Sequence, residues 1–202
     1  MDEPALIRDA KRGDLDAFNR LVLEYQDMLY NTAYRILGDP AQAADATQEA
    51  FISAFNKLKS YRGGSFKAWL LRIVTNACYD ELRRKKRRPQ TPLEPLTEND
   101  EEMEDPRWLT DPNASPEEQL ETAELDQAIQ DCIENLPPDF RAVVVLTDIQ
   151  GLDYKEAAAA LKTPLGTIRS RLARARGRLR DCLQAIRELL PAAFRLEEGS
   201  AL

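Results

Sequence analysis

Hydrophobic residues in the first part of the chain recur every three or four positions, which is the spacing of one face of an α-helix. The first such segment contains Phe18, Leu21, Val22, Tyr25, Met28, Leu29, Ile36 and Leu37. Asp14 is placed to cap its start, and Gly38-Asp39-Pro40 is placed to end it. A second helix is predicted from about Pro40 to Leu58, and a third from about Ser65 into a basic run. No stretch alternates as a strand does, so the first half is predicted to be a helical bundle.

Helical spacing returns in the second half of the chain, in Leu120, Leu125, Ile129, Ile133 and Leu136. The segment FRAVVVLTDIQ follows two prolines and is predicted to end at Gly151. Asp153 and Glu156 have the spacing of a capping box before YKEAAAAL. In KTPLG, Thr163 is predicted to cap a final long helix and Pro164 to take its first position. Two helices joined by a tight turn, the second rich in arginine, predict a helix-turn-helix.

The segment between these halves is rich in proline and acidic residues and has no periodic apolar pattern, so it is predicted to be a linker. Trp108 and Leu109 are its apolar exception. They are interpreted either as a pair that is exposed or packed onto a neighbouring domain, or as an anchor for a partner. The predicted fold class is therefore all-α. Two small helical domains, residues 1–88 and 118–190, are joined by the linker 89–117 and followed by a tail, 191–202.

The charge is strongly segregated, and this changes the meaning of the net charge of −7 for the 202 residues. Six consecutive cations occupy residues 83–88. Residues 89–126 then carry thirteen acidic residues against Arg107 alone, a net charge of −12, which leaves +5 for the rest of the chain. Because the excess of negative charge lies in this one segment, the overall sign does not exclude a nucleic acid as partner of either helical half.

The composition argues against most kinds of catalytic site. Histidine is absent, which removes histidine-based triads and most zinc sites, and no P-loop or glycine-rich phosphate loop occurs. Cys78, Cys132 and Cys182 are expected to be small buried residues rather than disulfide partners or zinc ligands. No cofactor, metal or small-molecule substrate is expected. The start MDEPALIRD lacks the features of a signal sequence and no apolar run could span a membrane, so the expected location is the cytoplasm.

The final helix separates an apolar stripe from a cationic face. The stripe that is predicted to be buried consists of Leu165, Ile168, Leu172, Ala175, Leu179, Leu183 and Ile186. The opposite face carries Thr167, Ser170, Arg171, Arg174 and Arg178, with Arg169, Arg176 and Arg180 at its edges. Arginine side chains match guanine edges and phosphates, and a helix fits the major groove, so this face is predicted to bind duplex DNA. A solvated basic face is the alternative.

The helix after Pro40 has a polar face with one apolar residue in its centre. This face consists of Asp45, Gln48, Glu49, Ile52 and Asn56. From the residues alone, Ile52 is either an ordinary exposed apolar residue or the centre of a docking site.

Three segments resemble the conserved parts of one protein family. DATQEAF resembles the D-x-x-Q-E-x-F core-binding motif of bacterial sigma factors, and YRGGSFKAWLLRIVTNACYDELRRKKRR resembles their promoter-melting segment. LDYKEAAAALKTPLGTIRSRLARARGRLR resembles their reader of the upstream promoter element. The whole resembles the extracytoplasmic-function group, which keeps only the second and fourth sigma domains.

This resemblance implies that the chain is not an enzyme but binds core RNA polymerase and directs initiation at promoter DNA. The implied contacts with the clamp of the largest subunit are Asp45, Gln48, Glu49 and Ile52. The implied contacts with the downstream element, which the protein would melt, are Arg62, Phe66, Trp69 and Asn76. Its phosphates would be bound by Arg83, Arg84 and Arg87. Trp69 is alternatively a core residue of the bundle. The implied contacts with the upstream element are Thr167, Arg169, Ser170, Arg171 and Arg174.

The resemblance also implies two further partners, the flap of the second polymerase subunit and an anti-sigma factor. The acidic linker would pass through a basic channel of the polymerase. An autonomous helix-turn-helix regulator is the alternative function, and an enzyme is a more distant one.

Overall fold

The computed structural model of the chain describes residues 2–87 and 116–187. These two ranges form eight α-helices and contain no strand, which confirms the all-α fold class. The helices are α1 (Glu3–Lys11), α2 (Leu15–Leu37), α3 (Pro40–Lys57), α4 (Phe66–Arg87), α5 (Pro116–Glu134), α6 (Pro138–Val144), α7 (Tyr154–Leu161) and α8 (Leu165–Ala185). The described residues do not include Arg88, the linker with Trp108 and Leu109, or the tail. The domain boundaries stay predictions.

Helices α1 to α4 form the first bundle, which we call domain two. The predicted ends of α2 are confirmed: Asp14 Oδ1 accepts hydrogen bonds from the amides of Asp16 and Ala17 at 2.9 and 3.1 Å, and Gly38 ends the helix with φ 76°. Helix α1 was not predicted. It packs on α2 and buries Ile7 and Ala10.

The loop before α4 is shaped by two adjacent glycines. Gly63 and Gly64 have φ angles of 95° and 94°, a region that side chains disfavour. The Tyr61 hydroxyl donates to the Gly64 carbonyl at 2.6 Å, and Ser65 Oγ accepts from the Ala68 amide at 3.0 Å. The predicted start of this helix at about Ser65 is therefore confirmed, with Ser65 as the residue that caps α4.

Helices α5 to α8 form the second bundle, which we call domain four. The capping box of Asp153 and Glu156 before α7 is confirmed. The cap predicted for α8 is wrong, because α8 begins one residue later and Pro164 occupies the position before it with an extended backbone. Thr163 is then too distant to cap α8, and its hydroxyl donates instead to the Leu161 carbonyl at 3.0 Å. A π-helical turn, Val145–Ile149, continues α6 toward Gly151.

The expectation for the cysteines is wrong for two of the three. Cys132 on α5 and Cys182 on α8 form a disulfide across 50 residues of sequence. The two helices pack side by side, which brings the thiols together although nothing in their sequence spacing indicates it. Cys78 is free and fully buried, as predicted, and burial raises its pKa to about 12.

The two bundles also pack against each other. Helix α7 lies on α4, and the C-terminal part of α2 lies against α5 and α6. Their apolar residues form one continuous buried cluster, in which Ile133 and Leu146 of domain four join Leu29 and Ile36 of domain two. No helix within the described ranges is long and apolar enough to cross a lipid bilayer.

Candidate polymerase and nucleic-acid interfaces

The polar face of α3 lies at the surface of domain two. Asp45, Gln48, Glu49 and Ile52 are all exposed, and Ile52 keeps 56% of its accessible surface. The opposite face of the helix is buried, with alanines at 43, 46, 50 and 54 against α2 and α4. An exposed isoleucine between a glutamine, a carboxylate and an asparagine forms a small apolar centre with a polar rim, which is the usual composition of a protein-binding surface.

Phe55 extends this apolar centre by one helical turn and was not singled out from the sequence. It is 40% exposed, while its ring packs edge-to-face with Phe18, with the ring centroids 5.0 Å apart. Its position three residues after Ile52 was the signal that could have identified it.

A pocket of about 570 Å³ opens between α3, the glycine loop and α4. It brings together three residues predicted for the downstream element, Arg62, Trp69 and Asn76. Glu49 and Ser53 of α3 line its wall, and Lys162, from the turn before α8, reaches it from domain four. Its charged lining holds Lys57, Arg62, Arg72 and Lys162 against Glu49 and Asp80, so cations outnumber carboxylates. An aromatic ring, an amide and excess positive charge are the groups that bind an unpaired base and its phosphate.

Phe66 does not belong to the accessible part of this site, contrary to the role that the resemblance implied. It is 2% exposed and packs against Tyr25, Tyr61 and Trp69, with ring centroids 5.6, 5.4 and 5.4 Å away. The reason is its register, because Phe66 shares one face of α4 with the buried Leu70 and Val74. Phe66 therefore packs beneath Trp69, which lines the pocket, and is not itself accessible from the pocket.

The position of Trp69 fits both roles that the sequence left open, and its role at DNA stays a prediction. Its ring packs on Tyr61 and Phe66 and is only half-buried, and it also lines the pocket. The nearby Asn76 is exposed, and its Nδ2 donates to the Arg72 carbonyl at 2.7 Å. Its Oδ1 has no hydrogen bond to any described residue and is left to accept one from a ligand.

The positive charge at the C-terminal end of α4 is partly neutralised by acidic residues of the same helix. Arg83 pairs with Asp80 at 2.9 Å and Arg84 pairs with Glu81, each three residues earlier on the helix. Arg87 is exposed and pairs with no described residue. The side chains of Arg83 and Arg84 are 67% and 59% exposed, although Glu81 is only 19% exposed. Ion pairs at the surface contribute little to stability, so these arginines can exchange their partners for phosphates.

Helix α8 presents a cationic surface, as predicted, and its stripe is buried at Ile168, Leu172 and Ala175. Arg169, Ser170 and Arg174 are exposed, and neither arginine pairs with a described residue, while Thr167 is half-buried. Arg171 differs from them, because its guanidinium lies 2.6 Å from Asp139 of α6 and its side chain is only 26% exposed.

Two other arginines of α8 hold domain four together. Arg176 makes two hydrogen bonds to Asp148, at 2.9 and 2.7 Å, and Arg178 lies over the ring of Phe140. Those bonds raise the pKa of Arg176 above its ordinary value, so its charge is permanent.

Comparison with known proteins assigns both halves of the chain. Residues 21–88 match the family model described as sigma-70 region 2, and residues 126–179 match sigma-70, region 4. The sigma-H factor of Pseudomonas aeruginosa is 35% identical over 182 residues, which cover 90% of this chain and 93% of that protein. The chain belongs to the sigma-70 family. The match to the extracytoplasmic-function sigma factor SigE of Mycolicibacterium smegmatis, 40% identical over 169 residues, covers 84% of this chain and 62% of that relative.

The group within the family follows from the same comparisons. Extracytoplasmic-function sigma factors from Haemophilus influenzae and Bacillus subtilis are 33% and 36% identical over 92% and 88% of this chain, which places it in that group. The structure of CnrH in complex with the cytosolic domain of CnrY superposes with a TM-score of 0.62, at 26% identity over 90% of this chain and 96% of CnrH. The α3 face and the pocket residues other than Lys162 fall within region 2, and Lys162 and Thr167 to Arg174 fall within region 4.

Proposed function

We propose that this sigma factor is a dissociable specificity subunit that binds core RNA polymerase, recognises two promoter elements and melts the downstream one. The observation that carries the proposal is the pocket beside the glycine loop, where Arg62, Trp69 and Asn76 meet next to the exposed face of α3. An ordinary helix-turn-helix regulator has no use for a pocket of this kind outside its DNA-binding motif. The protein performs no catalysis itself, and it acts in the cytoplasm, where the polymerase works.

The proposed core-binding surface is the α3 face formed by Asp45, Gln48, Glu49 and Ile52. Family resemblance assigns it to the clamp of the largest polymerase subunit. The isoleucine supplies apolar area to be buried, and the surrounding amide and carboxylates supply polar partners that fix orientation. The flap of the second subunit is the proposed contact of domain four, and an anti-sigma factor is a further proposed partner from the same resemblance.

The proposed melting site is the pocket. A base that leaves the duplex loses a few kcal/mol of stacking and pairing, which contacts in a pocket must offset. Trp69 offers part of its aromatic ring to the base, and Asn76 offers a free acceptor for the edge of the base. Arg62, together with Arg83, Arg84 and Arg87 farther along α4, is placed to bind the backbone phosphates.

The proposed upstream reader is the exposed part of α8. Arg169 and Arg174 are the candidates for base or phosphate contacts in the major groove, with Ser170 between them. Thr167 lies at the N-terminal turn, where a backbone phosphate is favoured by the helix dipole. Arg171 can join them only after it leaves Asp139.

Run-off transcription with purified core polymerase tests this function on promoters selected from a random DNA library. Initiation should depend on addition of the protein. Asn76→Ala should bind core polymerase normally but reduce permanganate-detected opening, and a promoter that is already mismatched there should restore much of the lost transcription. If the protein binds duplex DNA while initiation is unchanged by its addition, it is an autonomous regulator instead.

A further inference from the structure

The last turn of α1 contacts the residue that begins the glycine loop. Lys11 Nζ donates to the Tyr61 carbonyl and also lies 5.2 Å from the centroid of the Tyr61 ring. The two residues are 50 positions apart in the sequence, so this contact joins α1 to the loop before α4. An ammonium group forms a charge-assisted hydrogen bond with a carbonyl and is attracted to the face of an aromatic ring. Lys11 therefore holds both the backbone and the ring of Tyr61.

Tyr61 in turn contacts both the loop and the aromatic wall of the pocket. It is buried, and its hydroxyl donates to the Gly64 carbonyl at 2.6 Å. Its ring packs on Trp69, with the ring centroids 5.2 Å apart, and both residues line the pocket. A change in the position of Tyr61 would therefore move the loop and the wall together.

The glycine loop has few restraints of its own. A Cβ added at Gly63 or Gly64 would meet no atom of a described residue within 4 Å, chain neighbours apart, so the glycines serve the positive φ angles and not close packing. Glycine also loses more conformational freedom than any other residue when it is ordered. Arg62, which is expected at a phosphate, is exposed and lies between Tyr61 and these glycines. Its position therefore depends on how firmly Tyr61 is held.

The first turn of α1 contacts the same group of aromatic rings. Glu3 accepts a hydrogen bond from the Tyr25 hydroxyl, and the Tyr25 ring packs edge-to-face with Phe66, with the ring centroids 5.6 Å apart. The Phe66 ring is stacked beneath Trp69 at a centroid distance of 5.4 Å. Helix α1 therefore supports the rings behind the pocket at two points, through Glu3 and through Lys11.

Helix α1 has other contacts that keep it in the bundle. Ile7 and Ala10 are buried where the helix packs on α2, and Asp2 Oδ1 accepts a hydrogen bond from the Ala5 amide at 3.1 Å. Lys11 is only half-buried, at the end of the helix. Removal of its ammonium group should therefore alter the loop and leave domain two folded.

We propose that Lys11 is a positioning residue for base capture, which holds Tyr61, and through it the glycine loop and the Trp69 ring, in the arrangement that accepts an unpaired base. This inference rests on the proposed function and deepens it, since it concerns the same pocket. Among the described residues, Lys11 is not part of the pocket lining, and it lies outside residues 21–88, which match region 2. A loop that is ordered before DNA arrives does not have to lose its conformational freedom when the base binds.

Holoenzyme formed from purified core polymerase and the parent protein or a variant tests this role. The probe is a fluorescently labelled single-stranded oligonucleotide that carries the downstream element of a selected promoter. A panel of such oligonucleotides replaces one base at a time by an abasic site, and fluorescence anisotropy measures each dissociation constant. With the parent, loss of one base should weaken binding about tenfold, since its stacking and edge contacts are lost. We call this base the captured base.

Lys11→Met keeps the apolar stem of the side chain and removes the ammonium group. It should weaken binding of the unmodified oligonucleotide about tenfold, the factor expected for loss of one charge-assisted hydrogen bond. It should weaken binding of the oligonucleotide without the captured base less than about twofold, because the two changes remove the same interaction. Arg12→Met is the matched control, since it removes the same charge from the next residue, whose side chain is 73% exposed. It should change every affinity less than about twofold, because salt screens an exposed charge.

Circular dichroism establishes a temperature at which every variant is folded. The proposal is overturned if Lys11→Met weakens the unmodified and the abasic oligonucleotide by the same factor, because the residue would then act through its charge or through the fold. It is also overturned if Lys11→Met weakens neither. If the parent shows no captured base, the proposed capture of a base fails together with this role. A captured base that is indifferent to Lys11 removes only the positioning role, so the two failures are distinguishable.

Discussion

The disulfide between Cys132 and Cys182 should decide how firmly α8 is held in domain four. We consider the double variant Cys132→Ala and Cys182→Ala, in which alanine avoids placing a hydroxyl at the buried position 132. A link across 50 residues lowers the conformational entropy of the unfolded chain, and for a loop of this length the expected contribution is about 4 kcal/mol. That is a large part of the 5–15 kcal/mol that typically separates a folded domain from its unfolded state.

Urea unfolding, followed by circular dichroism with and without reductant, measures this contribution. With a slope of about 2 kcal/mol per molar urea, the loss of 4 kcal/mol corresponds to a midpoint lower by about 2 M. The oxidised parent should lose this amount when reductant is added, whereas the double variant should have the lower midpoint in both conditions. Cys78 does not exchange with the disulfide while the protein is folded, since burial raises its pKa to about 12 and keeps the thiol protonated; low pH during unfolding keeps it protonated once it is exposed.

Two results would refute this reasoning. Thiol titration of the unfolded, oxidised parent should find one free thiol, that of Cys78, and three would show that the pair is not linked. Equal urea midpoints for the oxidised and reduced parent would show that the link does not stabilise domain four. In that case packing between α5 and α8 holds the reading helix in place by itself.

Three further changes test other parts of the molecule. Ile52→Asp should weaken competition against another sigma factor for core polymerase by about 1–2 kcal/mol, whereas Leu23→Asp, at an even more exposed site on α2, should compete as the parent does. Arg174→Ala should relax base preference by about 1–3 kcal/mol over a panel of duplexes; equal weakening on every duplex would make it a phosphate contact only. Burial and, to a smaller extent, the negative charge of Asp139 raise the pKa of Tyr79 to about 12. The stability that its neutral phenol contributes is therefore complete below pH 10 and is lost as the pH rises toward 12. Tyr79→Phe should lose less stability than the parent in alkaline unfolding curves, the remaining loss coming from Tyr25 and Tyr61, whose pKa values burial also raises. An unchanged pH dependence would contradict the buried phenol.

The features that could be predicted from the sequence are those made by neighbouring residues. Asp14, Gly38 and the pair Asp153 and Glu156 end or begin helices through bonds that reach four positions at most, so their spacing alone identifies them. The exposed face of α3 followed from the helical period in the same way. Its partner, however, came only from the family resemblance, because exposure does not indicate what a surface binds.

The features that could not be predicted join residues far apart in the sequence. Three examples are the Cys132–Cys182 disulfide, the ion pair of Arg171 with Asp139 and the ion pair of Arg35 with Asp126. All depend on how helices pack against each other, which the order of residues along each helix does not specify. Phe66 differs from these features, because its helical register with Leu70 and Val74 already indicates burial, whereas its role at the downstream element was implied only by the family resemblance.

Helix α3 gives a physical reason why polymerase binding and base capture would be coupled. Its outer face carries Gln48 and Ile52, while Glu49 and Ser53, one position farther around the helix, line the pocket. A protein that binds the outer face fixes the same helix that forms the pocket wall, and Glu49 belongs to both surfaces. Neutralising Glu49 at a polymerase contact would also remove one of the two carboxylates that oppose the pocket's four cations. The pocket would then be more attractive to a DNA phosphate when the polymerase is bound than when the sigma factor is alone.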